Sequence, residues 1–253
     1  MTKPHQCFLS PQTTLTMVPA SVGREVGRAV PDHGTPFFLS YARARNNSSR
    51  KGKISFSDQM ARRFYFDLSE NVGQLISRRT GADVGFMGTG EQDGFIDTEM
   101  QGGRHWVDEL LHAAGICQVL IPLLSAPYLS RAWCGKEWCA FTRRNPQSLP
   151  GMEPLPRQGH IIPVLWAPVT FALPSPVSKE LIFSPAGTPD PDLPARYEAN
   201  GVYGLLRMGQ EDSYQIIAWQ LAMLISKVYH SQQLEFCEFT LESLDNVFQG
   251  AQL

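Results

Sequence analysis

The sequence predicts an α/β protein built on a parallel sheet with helices on both faces, and three observations carry that expectation. Short apolar runs, Pro36 to Tyr41, Cys117 to Leu124 and His160 to Trp166, alternate with longer stretches of helical period. The runs are near-continuous rather than alternating, as strands buried on both faces are. At 253 residues the chain suits one domain with long loops or tails, large enough to bury a substantial core.

In chain order, residues 1 to 34 are polar, dotted with proline and without period, and read as a flexible tail. "PFFLSY" is brief and aromatic-rich, as a buried strand is, and the polar loop "ARARNNSSRKGK" follows it. Phe56, Met60, Phe64, Leu68, Val72, Leu75 and Ile76 then recur at helical spacing until Thr80-Gly81 ends the pattern. A second strand lies in "DVGFMGTGEQDGFIDTE", as Val84 to Met87 or as Gly94 to Asp97, and period alone leaves both open. The helix "WVDELLHAAG", the buried strand Cys117 to Leu124, a helix containing "SRAWCGKEWCAF" and the strand His160 to Trp166 come next. Six prolines between Phe171 and Pro194 predict an extended surface excursion. A last amphipathic helix carries Tyr214, Ile217, Ala218, Leu221, Leu224, Ile225 and Val228, and residues 234 to 253 form a further short helix or a tail that docks on a partner.

The bulk composition narrows the function. A net charge of −2 gives no sign of a nucleic-acid surface. The five cysteines, Cys7, Cys117, Cys134, Cys139 and Cys237, form no CxxC pair, and with scattered histidines they predict reduced thiols and no metal site. The N-terminal stretch lacks a signal-peptide block, and the longest apolar run is too short to span a bilayer, so the expectation is a cytoplasmic protein without a membrane partner.

One residue breaks the helical pattern. At 100° per residue, Ser130, Trp133, Cys134, Glu137 and Phe141 share an arc of roughly 100°, which places a carboxylate on the inward face with Trp133 one turn before it. A plain reading pairs Glu137 with Arg78, Arg144 or another base at the rim of the stripe. The other reading is a functional carboxylate. Parallel sheets place their sites at the carboxyl ends of the strands, beside the point where strand order reverses. That edge would gather the loop after Tyr41, the loop after Asp97 and the start of the Glu137 helix.

Three segments in order resemble the Toll/interleukin-1 receptor (TIR) domain family: "PFFLSYARARN", "GFIDTEMQGGRHWVDEL" and "VLIPLLSAPYLSRAWCGKEW", the last with the spacing Trp133-x-x-x-Glu137. The resemblance covers roughly residues 35 to 229 and is similar in flavour to the TIR-like proteins of actinobacteria. It implies a flavodoxin-like doubly wound parallel sheet of about five strands, a TIR domain over 35 to 232, and a tail or short helix over 233 to 253. Two departures stand out. "GFMGTGEQD" adds residues before "GFID", and Ala42 stands where many enzymatic relatives carry a first arginine, leaving Arg43 to match that pair.

The resemblance also implies an activity: enzymatic TIR domains cleave the nicotinamide–ribose bond of NAD⁺ with a glutamate at the place of Glu137. The residue type suits the chemistry, because neutral nicotinamide leaves an oxocarbenium-like ribosyl centre that a fixed carboxylate stabilises, and no general acid is needed. In the same scheme Trp133 is a platform for the cationic ring or a core tryptophan, and Arg43 holds the pyrophosphate or is a solvated loop arginine. Ser40 and Tyr41 contact ribose or adenine, with packing as the alternative for Tyr41. Asp97 bonds a ribose hydroxyl or caps a turn, and Trp106 lines the nicotinamide side. NAD⁺ is substrate, no separate cofactor is implied, and the product is ADP-ribose or a cyclic isomer. The setting the family implies is bacterial antiphage or stress defence. Activation is by self-association through the mobile connecting (BB) loop, about Thr98 to Arg104, and adjacent helices, and the tails are candidates to recruit a sensor.

Competing motifs are weak. "GFMGTGEQDG" has neither the Lys-Ser/Thr of a phosphate loop nor the third glycine of a dinucleotide fingerprint, and no G-x-S-x-G elbow occurs. Two other readings remain: a non-catalytic TIR scaffold acting by association alone, and an enzyme like the nucleoside deoxyribosyltransferases.

Overall fold

The computed structural model describes residues 34–43, 55–76, 94–96, 104–151 and 159–249. Its centre is a parallel sheet of β1 (Phe37–Ser40), β2 (Gly94–Ile96), β3 (Val119–Leu124) and β5 (Val164–Leu165), in the order β2-β1-β3-β5. Register runs Phe38 opposite Phe95 and Leu120, and Leu123 opposite Val164. The chain moves outward from β1 to β2 and then crosses to the other side of β1, so strand order reverses between β1 and β3. Four strands lie in the sheet among the described residues, against about five expected. Of the two segments open for the second strand, Gly94–Ile96 is the one that pairs with β1. Val84 to Met87 lies outside the described residues.

The alternation of a strand sorts side chains to two faces. Phe37 and Leu39 join Val119, Ile121 and Leu123 against α1 (Phe56–Leu75), α6 (Leu193–Arg207) and α7 (Glu211–Ser231). Phe38, Leu120 and Leu124 turn the other way, to α2 (Arg104–Ile116), α3 (Ala126–Leu129) and α4 (Ala132–Thr142). Helix α1 is capped by Ser55, whose hydroxyl accepts from the Asp58 amide at 3.0 Å, and of its predicted stripe Phe64, Leu68 and Val72 are buried, Met60 and Leu75 half-buried and Phe56, in the first turn, exposed. The α7 stripe is buried too, except that Leu224 is half-buried.

Two regions differ from expectation. The proline-rich stretch after Phe171 is not all surface: Val177 and Phe183 are buried, α5 (Ser175–Ser178) forms within it, and the Phe183 amide donates to the Pro163 carbonyl at 2.8 Å. Its prolines start short helices instead of only interrupting them. Helix α6, unmarked in the sequence, kinks at Gly201 (φ 64°), where a Cβ would meet the Trp166 carbonyl oxygen at 2.5 Å.

The C-terminal segment turns back onto the chain itself. β6 (Gln232–Leu234) pairs antiparallel with β4 (Pro146–Ser148), and the residues beyond it run along α4. Lys136 donates to the carbonyls of Leu241 and Leu244, Arg143 pairs with Asp245 at 2.7 Å, and the Phe248 ring packs on Trp138 at 5.6 Å. Gly135 permits the close approach, because a Cβ there would meet Asn246 Oδ1 at 1.9 Å. No helix among the described residues is long and apolar enough to cross a membrane.

Candidate active site

The site forms at the carboxyl edge of the sheet, where β1 ends and α3 and α4 begin. Ser40 closes β1 and has the parity of Phe38, so its side chain faces α4 rather than α1. Helix α3 is fixed by Ser125, whose hydroxyl accepts from the Tyr128 amide at 3.3 Å, and it aims Tyr128 into the same space. Helix α4 supplies Glu137 from a stripe that also buries Cys134, Trp138 and Phe141.

These three side chains form one buried hydrogen-bonded group. Ser40 Oγ donates to Glu137 Oε2 and lies 3.1 Å from the Tyr128 hydroxyl. Glu137 is 3% exposed and the other two are fully buried. A carboxylate taken out of water costs several kcal/mol unless its oxygens are bonded, and the Ser40 hydroxyl bond is part of the compensation. Burial raises the Tyr128 phenol well above its ordinary range, with Cys134 and Glu137 adding and the Ser40 bond opposing, so the phenol keeps its proton.

One turn before Glu137 on α4, Trp133 stacks on Trp106 of α2, with ring centroids 5.2 Å apart and planes at 30°. The Arg43 guanidinium lies 6.0 Å from the Trp106 centroid, and Arg131 donates to the Arg43 carbonyl at 3.1 Å. The result is a layered arrangement of cation, indole and indole beside the carboxylate. The buried Trp133 Nε1 has no acceptor among the described residues, which leaves a donor unused at the base of the stack.

Of the residues the sequence singled out, Ser40 meets Glu137, and Arg43 and Trp106 form a second group with Trp133, one turn earlier on α4. Tyr41 does not join them. It is buried in the apolar cluster of the opposite face, with α1 and α7, as the parity of a strand requires. Asp97 and residues 98 to 103 of the expected connecting loop lie outside the described residues. Arg144 does not pair with Glu137: it donates to the carbonyls of Ala114, Cys117 and Glu235. Arg78 lies outside the described residues. The sequence reading missed Tyr128, because α3 is a single turn of four residues, too short to show a period. Comparison with family models, with curated proteins and with solved structures gives no match.

Proposed function

We propose that the chain is a TIR-like NAD⁺ glycohydrolase in which Glu137 is the catalytic carboxylate. The observation that carries the reading is the buried Ser40–Glu137 bond at the carboxyl edge, one helical turn from the Trp133–Trp106 stack. A fixed anion in a water-poor place acts strongly on nearby positive charge, and an oxocarbenium-like ribosyl centre is such a charge. The C1′–N bond breaks, its electron pair leaves with neutral nicotinamide, and water adds to C1′ and gives up a proton, yielding ADP-ribose. An adenine nitrogen in place of that water gives a cyclic isomer. Trp133 and Trp106 offer the aromatic face for the pyridinium, and Arg43 the charge for the pyrophosphate.

The strand order β2-β1-β3-β5 fits the flavodoxin-like arrangement, whose ligands sit at the β1/β3 reversal where Ser40 ends β1. A cytoplasmic defence enzyme activated by self-association, with a sensor recruited through the tails, is the setting this reading implies. A scaffold that only associates has no use for a carboxylate withdrawn from water, which favours the enzyme.

The test is incubation of concentrated or crowded protein with NAD⁺ while nicotinamide release is followed, for the wild type and Glu137→Gln. Loss of about 3 kcal/mol of charge stabilisation predicts a drop on the order of a hundredfold. Full turnover by the variant removes Glu137 from the mechanism.

A further inference from the structure

We infer that Tyr128 is a positioning residue for Glu137 and acts through Ser40, as the first link of a one-way hydrogen-bond chain; the assignment of a catalytic consequence rests on the function proposed above. The argument is a count of protons. A serine hydroxyl has one hydrogen to give, and that of Ser40 goes to Glu137 Oε2. The 3.1 Å contact between Ser40 Oγ and the Tyr128 hydroxyl therefore has Tyr128 as donor and Ser40 as acceptor. The phenol has a proton to give, since burial keeps it neutral far into the alkaline range.

Such a chain polarises along its length: a hydroxyl that accepts a bond donates a stronger one. Ser40 alone can rotate about its Cα–Cβ bond, whereas the Tyr128 ring is held. Its backbone is fixed in α3 by Ser125, and its ring packs 5.8 Å from that of Phe248 in the C-terminal segment. Among the described residues, the titratable groups that act on the phenol are Cys134 and Glu137, both on α4, and β1 contributes the Ser40 hydroxyl. Tyr128 thus fixes which way Ser40 points, and Ser40 fixes Oε2.

The test is the carboxylate stretch of Glu137 by infrared spectroscopy, isolated as the difference between the full-length protein and its Glu137→Gln variant, together with kcat and KM for NAD⁺. Tyr128→Phe keeps the ring and its contact with Phe248 and removes only the donor. The expected result is a shifted carboxylate band and a kcat lower by about tenfold at unchanged KM, the size of one hydrogen bond. Ser40→Ala shifts the band on its own, and adding Tyr128→Phe to it produces no further shift, because the chain is already cut. An unshifted band in Tyr128→Phe overturns the inference, as does a further shift in the double variant. Should Tyr128→Phe fail to fold, Phe248→Leu loosens the ring from the other side and is expected to broaden the same band; an unaltered band overturns the inference too. If the wild type releases no nicotinamide, the proposed function fails, while the band still decides whether Tyr128 reaches Glu137.

Discussion

Glu137 in the middle of α4 and Arg144 just past its end are both buried, at 3% and 2% exposure, yet their partners differ in kind. Arg144 sits at the amino edge of the sheet and donates to the carbonyls of Ala114 and Cys117, which close α2, and to that of Glu235 beyond β6. The first two are backbone acceptors that a helix end leaves without a partner in any case, and the third ties the segment after β6 to them, so the guanidinium completes the fold. Glu137 sits at the carboxyl edge and is met by the Ser40 hydroxyl, which is buried with it and in turn contacts the Tyr128 hydroxyl. Apolar residues in place of Glu137, Ser40 and Tyr128 together would remove three buried polar groups at once, and replacements of that kind are often neutral or stabilising. One charge serves the architecture; the burial of the other is what the proposed chemistry would explain.

The comparison breaks most visibly if the two charges are removed separately. Glu137→Gln is expected to lose on the order of a hundredfold in nicotinamide release while its unfolding free energy changes by about 1 kcal/mol or less, since the amide oxygen still accepts from Ser40. Arg144→Leu is expected to do the reverse. Three carbonyls lose their donor, which costs about 3 kcal/mol or more in chemical denaturation, while turnover of the folded protein stays within about twofold. If Arg144→Leu lost turnover at a temperature where it remains folded, the division between the two edges would be wrong.

The two edges also differ in how far the sequence discloses them. Strands β1 and β3 are legible as apolar runs, α1 and α7 as stripes, and Glu137 as a charge on an inward face, because each is a pattern within one segment. Gly94–Ile96 and Val84 to Met87 are equally plausible strands until register with β1 is known, since pairing is a property of two segments. The Tyr41 side chain belongs to the α1 face by strand parity, which the box "LSY" by itself does not convey. Tyr128, the partners of Arg144 and the return of residues 235 to 249 along α4 depend on contacts across many positions, such as Ser40 with Tyr128 or Lys136 with Leu244. No local period reports those.

A pH titration sharpens the amino edge. Cys117 lies fully buried beside Arg144, and burial pushes its thiol from 9.0 up to about 12, with Arg144 opposing. An acid whose folded value is raised favours the folded state below its unfolded value, and that contribution is lost as pH rises from about 9 toward 12, because only the unfolded chain releases the proton. At pH 10 the loss amounts to about 1 kcal/mol. Cys117→Ala is expected to be destabilised slightly at pH 7 by the missing sulfur and to lose less between pH 8 and pH 10 than the wild type does. Parallel denaturation curves for the two proteins over that range would mean that the thiol ionises freely and that the amino edge admits water.

At the carboxyl edge the smallest effect belongs to Trp106. Its ring centroid lies 6.0 Å from the Arg43 guanidinium and 5.2 Å from that of the Trp133 indole. Trp106→Leu keeps an apolar cover on Trp133 but removes the π face, worth about 0.5 to 1.5 kcal/mol. The expected outcome is a KM for NAD⁺ higher by about two- to tenfold with kcat within twofold, the signature of lost binding rather than lost transition-state stabilisation. A fall in kcat as large as that of Glu137→Gln would show that the stack holds α4 in place instead of holding the substrate. The carboxyl edge would then share with the amino edge a purely architectural use of its largest side chains, and the carboxylate alone would separate the two.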